Sequence, residues 1–483
     1  MLKQKFNGKF RTKFSFGLLS LVCFSVLSAE QSISSINTPL SFEKAIKSAQ
    51  KNDPWLTGNI HKQRSIESMS IAVSTLPDPK ISIGLANLPT NGFDFGQEGM
   101  TQAKIGITQM FPRGDTLDIK SQQLRIQSEA FPFQRKDREA KVAVTVGTLW
   151  LDAYRVQQSI ALIEKNRSLF EQLADVAQAS YSSTLGKTRQ QDIVRAQLEL
   201  TRLEDRLEKL GQQKNRYEGM LLQWLIKFSS YDDAIDVALH NGLGLHDIEL
   251  SQNIPQIDLL NNIVSTQHWL KPEKLVHYFT KHPSIVAIEK KVSATKTGIK
   301  LAEQKYEPEW GISASYGYRG DDAMGSSRAD LFSVGVTFDL PFFTENRQDK
   351  EVQSAIFKTE AVKTEKLLLL RQLLGSYSSA KGRLQRLKDR QNLYKSKLLP
   401  QIHDQAEASL TAYTNDDGDF SEVVRSRIAV LNAEIDELTL NVEEQKLNLE
   451  LNYLFIGSNE TAMTTNKLND TNSGQYAAIL GEN

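Results

Sequence analysis

The chain has 483 residues, of which 40% are hydrophobic and 24% charged, enough for more than one structural unit. Its 58 basic and 58 acidic residues balance to a formal charge of zero, so nothing points to a nucleic-acid partner. The single cysteine, Cys23, lies in the first 30 residues, so the rest of the chain has no disulfide, thiolate metal site or cysteine nucleophile.

Lys3, Lys5, Lys9, Arg11 and Lys13 precede an apolar run from Phe14 to Leu27, with small residues at Ser28-Ala29 and no acid before Glu30. This pattern predicts a secretory signal peptide over 1–29. Lipidation at Cys23 is disfavoured: Ser20 stands where lipoproteins carry leucine, and Val22 where they carry a small residue. Removing five basic residues from 58 leaves 53 against 58 acidic, a charge near −5. Beyond residue 30 no apolar run reaches the roughly 18 residues of a spanning helix. If the chain crosses a membrane, it does so as a closed β-barrel, because open strands leave backbone groups unpaired in lipid.

Period-two alternation predicts four short strands, at about 79–88, 101–111, 310–318 and 330–340. One face of each is apolar: Ile81, Ile83 and Leu85; Ile105 and Ile107; Trp310 and Ile312; Phe332, Val334 and Val336. These ten residues are the candidate lipid-facing set, with Trp310, Tyr316, Tyr318 and Phe111 as interfacial aromatics. A half-buried soluble hairpin explains the strands alone equally well. Four strands cannot enclose a channel, so several chains would have to share one barrel.

Between the strands the sequence predicts long helices. One runs from about Asp115 to Thr184, kinked at Pro132. Another runs from Gly186 to about Lys227 with heptads Ile193, Leu200, Leu207 and Leu221 against Ala196, Leu203, Leu210, Tyr217 and Trp224. After Gly418 the seam recurs as Val424, Leu431 and Leu438 against Ile428, Ile435, Val442 and Leu449. Residues 229–281, with turn signals such as Asn241-Gly242, read as a connection, and 458–483 as a disordered polar tail.

The two halves repeat. Pro79 and Pro308, Gly106 and Gly335, Pro112 and Pro341, Asp53-Pro54 and His282-Pro283, and Ala179-Ser180 and Ala408-Ser409 all stand 229 positions apart. The chain is therefore read as a tandem duplication, 30–228 and 282–457, of mixed α and β class but mainly α.

No catalytic motif appears. There is no P-loop, nucleophile elbow, zinc-protease helix or dinucleotide fingerprint, and the seven histidines include no pair at i, i+3 or i, i+4. The sequence predicts no enzyme, no cofactor and no metal site. The polar residues that stand out are at two helical turns, about 181–192 and 413–422. In each, tyrosine and glycine stand five apart (Tyr181 and Gly186; Tyr413 and Gly418), glycine suiting the left-handed position that ends a helix. Asp416, Asp417, Asp419 and Glu422 would recur around the axis of a symmetric oligomer as an acidic ring able to select cations, or they form a solvated acidic loop.

With these residues in view, nearly the whole chain from about Pro39 to Gly457 resembles the TolC-like outer-membrane efflux proteins. The likeness rests on the duplicated helix–strand–strand–helix plan, on Leu76-Pro77-Asp78-Pro79, on Met110-Phe111-Pro112-Arg113-Gly114, and on Gly186 followed by Asp192-Ile193-Val194 and Ala196-Gln197. The resemblance implies a homotrimer whose chains each give four strands to one 12-stranded barrel in the outer membrane of a Gram-negative bacterium. A long periplasmic α-helical barrel continues it. The resemblance also implies a periplasmic adaptor docking at the tip (Gly186, Asp192, Ile193, Val194, Gly418, Val423 and Val424) and an inner-membrane transporter as the third component. Residues 91–100 and 319–328 would face outside the cell. Glu422 stands where family members usually have aspartate, and Arg425 where another acid can stand. The run Phe93 to Met100 and the Met-Phe-Pro-Arg-Gly-Asp run resemble members linked to heavy-metal pumps. Multidrug efflux and type I protein secretion are the alternative cargoes, and a soluble periplasmic coiled-coil scaffold or adaptor is the reading of another class.

Overall fold

The computed structural model describes residues 39–182, 189–226, 248–259, 269–322, 324–415 and 417–457. The expected signal peptide with Cys23, Gly186 of the first turn, the Asn241-Gly242 signal, Asp416 and the expected tail 458–483 lie outside the described residues.

The first copy comprises α1 (Phe42–Asn52), α2 (Pro54–Ala72), β1 (Lys80–Ala86), β2 (Gln102–Phe111), α3 (Thr116–Ser128), α4 (Phe131–Ser182) and α5 (Gln190–Leu225). The second comprises α6 (Pro272–Phe279), α7 (Pro283–Glu303), β3 (Trp310–Tyr318), β4 (Leu331–Phe338), α8 (Gln348–Leu393), α9 (Leu399–Thr414) and α10 (Phe420–Leu454). The match extends to the caps. Asp53 accepts from the Trp55 backbone N–H at 3.0 Å to start α2. His282, at the equivalent place, accepts from the Ser284 N–H through Nδ1 at 3.3 Å to start α7. In both, proline follows at the first helical position, where its missing N–H costs nothing. The sequence assigns 229–281 to a connection, and α6 stands within that range, where α1 stands in the first copy.

The long first-copy helix differs from its prediction. It is two helices that part at Glu129-Ala130, and Pro132 is the second residue of α4 rather than a kink within one rod. From there α4 runs 52 residues, about 78 Å at 1.5 Å per residue. The second copy interrupts its rod elsewhere, with a π-helical turn at Tyr394–Leu398 just ahead of Pro400.

The heptad seam is the packed face of α5: Ala196, Leu203, Leu210 and Leu221 are buried, and Ile193, Leu200 and Leu207 half-buried. These side chains meet Ile163, Phe170 and Ala177 of α4 and Val423, Val424 and Leu431 of α10 in one apolar cluster. A second cluster centres on Trp150, which stacks on Tyr154 at 5.4 Å, meets Phe42 edge-on at 5.6 Å and donates Nε1–H to the Leu40 carbonyl at 2.9 Å. Leu40 in turn bridges to Leu250, tying the connection to the first copy. A third cluster joins α6, α8 and α10 through Phe279, Tyr377, Leu384 and Phe455. Asp53 also holds Arg138 at 2.7 Å, and that guanidinium lies over both Trp55 and Trp224, at 5.7 and 5.4 Å.

No helix among the described residues is long and apolar enough to cross a membrane.

Candidate functional site: a two-faced sheet and a helical tip

The four strands form one antiparallel sheet in the order β1-β2-β3-β4. Residues directly opposite in a ladder share a face, so the register decides what each face presents. Ile81 lies opposite Ile107, Ile83 opposite Ile105, and Leu85 opposite Ala103. Phe111 lies opposite Trp310, and Ile105 opposite Tyr316. Trp310 lies opposite Phe338, Ile312 opposite Val336, Ala314 opposite Val334, and Tyr316 opposite Phe332. All ten residues expected to face lipid thus share one continuous face. Their exposure runs from 44% at Trp310 to 82% at Ile83. An apolar patch of that extent on a free surface marks an interaction site.

The aromatic residues of this face group at its two ends. Phe111, Trp310 and Phe338 form a row beside the helices, with Trp310 and Phe338 centroids 4.9 Å apart. Tyr316, Tyr318 and Phe332 lie at the far end. Trp310 and Tyr318 are separated by about 26 Å of strand at 3.3 Å per residue, comparable with the apolar band of a membrane barrel. The opposite face is mostly small and polar, with Ser82, Gly84, Gly106, Thr108, Ser313, Ser315, Ser333 and Gly335, and also carries Lys80, Lys104, Met110 and Leu331. Among the described residues, β1 and β4 each keep one edge without a partner strand.

At the far end, the loops joining β1 to β2 and β3 to β4 pack together. Arg319 donates to the Gly99 carbonyl and Arg328 to the Glu98 carbonyl, both at 3.2 Å. Phe95 stacks on Tyr318 at 6.3 Å. At the helix end, the Phe111-Pro112-Arg113-Gly114 run ties the two copies. The Arg113 guanidinium pairs with Asp339 and donates to the Glu307 carbonyl at 2.8 Å. Asp339 also accepts from the Glu309 N–H at 2.8 Å, which with Arg113 holds its carboxyl below the usual range. Gly114 has φ +42°, and a Cβ there would stand 2.3 Å from the Gln304 side chain, which accepts from the Asp115 N–H. This tie was not legible in the sequence, because its partners are 226 residues apart.

At the other end lies the tip. Asp192 is buried and accepts from the Arg189 N–H at 2.9 Å, starting α5. Ile193 is half-buried, Val194 exposed, and Val423 and Val424 buried against α4 and α5. Gly418 is not in the left-handed conformation expected of it. A Cβ there would stand 2.6 Å from the Tyr413 backbone N, so close approach of two backbones is what calls for glycine. The Tyr413 ring packs edge-on against Phe420 at 5.6 Å. Of the four acids, Asp417 is exposed. Asp419 caps α10, accepting from the Ser421 N–H at 3.1 Å. That bond, with Arg195 and Arg189 nearby, holds its carboxyl below the usual range. Glu422 pairs with Arg425 at 2.7 Å, an exposed pair of small energetic weight. A shallow cleft between α5 and α10 is lined by Arg195, Arg202, Arg425, Glu199, Ser421 and Val424. The tips of the two copies therefore meet, bringing arginine from one against acid from the other. No group of three or more His, Asp, Glu or Cys among the described residues is placed to hold a metal ion.

No family model matches the chain, and no curated protein matches it in sequence. Solved structures do match. The outer-membrane channel OprN superposes with a TM-score of 0.67 at 14% identity, covering 86% of this chain and 90% of that one. The CmeC outer-membrane channel of Campylobacter jejuni gives 0.66 at 11% identity over 88% of each. The outer-membrane protein VceC of Vibrio cholerae gives 0.64 at 14% identity, over 86% of this chain and 95% of that one. A helical chain carrying a small two-faced sheet, alike over most of its length to these channels, has the fold of the TolC-like outer-membrane channels.

Proposed function

We propose that this chain is the outer-membrane channel of a tripartite efflux system in a Gram-negative bacterium, a passive duct rather than an enzyme. The observation that carries the reading is the sheet: one exposed face apolar except for Gln109, the other mostly small and polar, both outer edges unpaired among the described residues. In lipid an open edge is prohibitive, and ring closure with other copies removes it. Each copy adds an even number of antiparallel strands, so β4 of one copy meets β1 of the next antiparallel. Three copies close a 12-stranded barrel, wide enough for a channel. The helices continue it into the periplasm, the tip receives a periplasmic adaptor, and an inner-membrane transporter supplies the energy. A soluble scaffold would leave the apolar face in water, which disfavours that reading.

Heavy-metal ions are the cargo suggested by the loop and junction runs, with drugs and secreted proteins as alternatives. A deletion strain tested against copper, silver, zinc and cobalt salts beside dyes, detergents and antibiotics separates them. Sensitivity confined to metals supports a dedicated metal duct, and broad sensitivity to amphiphiles overturns it. No sensitivity, together with absence from the outer-membrane fraction, overturns the duct itself.

The tip acids are proposed to form the aperture. Replacing Asp416, Asp417 and Asp419 by Asn and Glu422 by Gln together removes charge while leaving an oxygen to cap α10 at 419. The expected result is lower cation preference or a larger leak in single-channel recordings. An unchanged record removes these residues from the aperture.

A further inference from the structure

The small polar face of the sheet carries charge of one sign only. Across all four strands the charged residues are Lys80 and Lys104, and both are on that face. Lys104 stands opposite Gly84 on one side and Gly317 on the other, so neither ladder partner has a side chain; only the neutral Gln102 amide, from its own strand, lies over Gly317. Lys80 stands opposite Thr108. Both lysines are exposed, and neither has an ion-pair or hydrogen-bond partner among the described residues. Of the acids flanking β4, Asp339 is committed to Arg113 and the Glu309 N–H, and Asp330 to the Tyr316 hydroxyl and the Arg319 N–H; Asp78, two residues ahead of Lys80, lies outside the strand at the helix end of the sheet, so Lys104 is the tier farther from any carboxylate of its own strand.

Lys104 pairs four residues beyond Lys80, which separates the two ammonium levels by about 13 Å of strand. We infer that, in the closed ring proposed above, these lysines form a two-tier cationic collar that makes the barrel section of the duct favour anions. The inference rests on the duct reading and goes beyond it by naming the charge class admitted. The Debye length is about 8 Å at physiological ionic strength, so each tier acts on an ion passing within that range. Low-dielectric walls focus the field into the lumen, and rings of lysine are a known basis of anion preference. The collar favours carboxylates, phosphates and anionic metal chelates. It opposes a bare divalent cation twice as strongly as a monovalent one, so metals would cross this section bound to anionic ligands.

The test uses the full chain, reconstituted in planar bilayers under a KCl gradient, comparing wild type, Lys80→Gln with Lys104→Gln, and Lys80→Arg with Lys104→Arg. The chloride-to-potassium permeability ratio should fall a few-fold in the glutamine pair and hold in the arginine pair. The difference between variants is the readout, because the tip contributes equally to all three. A ratio that does not move in the glutamine pair overturns the collar while leaving the duct reading intact. If that pair yields no channels, the single substitutions Lys80→Gln and Lys104→Gln decide on the same criterion. Wild-type protein that inserts no conductance at all overturns the duct reading and the collar with it.

Discussion

Arginine at Ile107 or Val336 should abolish assembly of the channel in the outer membrane. Ile107 sits between Ile81 on β1 and Ala314 on β3, and Val336 lies opposite Ile312. Both are in the apolar face, between the two aromatic rows. Arginine near the midplane on the lipid side of a barrel costs about 2–4 kcal/mol, and the proposed trimer would carry the cost three times, or roughly 6–12 kcal/mol. The neighbouring surface supplies the control. Ser333 faces the other way, opposite Ser315, and arginine there should assemble normally. Heat-stable oligomer recovered from outer-membrane fractions reads the contrast. Normal yield from Ile107→Arg or Val336→Arg would falsify the lipid-facing assignment.

Trp150→Ala should be the most damaging substitution in the helical part, at about 3–5 kcal/mol for loss of a large buried aromatic. Trp150 is fully buried and touches three structural units at once: Tyr154 on its own helix, Phe42 on α1, and the Leu40 carbonyl that also bridges to the connection at Leu250. Truncation leaves a cavity and takes from the Leu40 carbonyl the shorter of its two hydrogen bonds, leaving the Ser251 N–H at 3.4 Å. Trp150→Phe keeps most of the volume and loses the hydrogen bond, so it should cost about 1 kcal/mol. Urea titration followed by far-ultraviolet circular dichroism, with limited proteolysis near residue 40, reads both. A midpoint for Trp150→Ala equal to wild type would show that the Leu40–Trp150 contact does not hold the first copy together.

Much of this fold was legible because its periodicities are local. The strands fall within about two residues of their expected ends, since alternating Ile, Val, Gly and Ser cannot be read with a helical period. The seam of α5 was legible for the same reason: Ala196, Leu203 and Leu210 recur every seven residues. What failed depended on neighbours. Pro132 was expected to bend a continuous rod, but it belongs to the first turn of a new helix, where proline is tolerated. Gly418 answers a steric demand rather than the conformational one its place after a helix suggests. The π turn at Tyr394–Leu398 has no signal of its own beyond the proline that follows. In the candidate aperture, the capping role of Asp419 was available in the sequence, since Asp-x-Ser ahead of an apolar run is a helix start. The Arg113–Asp339 tie was beyond reach because only the duplication brings those segments side by side.

The β2·β3 pairing inside one chain also specifies, by quasi-equivalence, a contact between chains. β2 is the second strand of one copy and β3 the first strand of the other, which is also the relation of β4 to β1 of a neighbouring molecule. Carrying the internal register forward by the 229-residue offset puts Phe338 opposite Ile83, and Val336 opposite Leu85, of the next molecule. The outward residues then stay outward across the seam. The two copies already differ by a slip of two, because Ile81 pairs with Ile107 while its equivalent Trp310 pairs with Phe338. An even slip inverts no face. Cysteine at Val336 should therefore crosslink to cysteine at Leu85 or Ile83 of a neighbour on oxidation and not to one at Gly84, and the reverse pattern would sink the equivalence. If three copies close the ring as proposed, it is in this sense a six-fold object written in three chains, each strand pair repeating one contact whether or not the backbone is continuous across it.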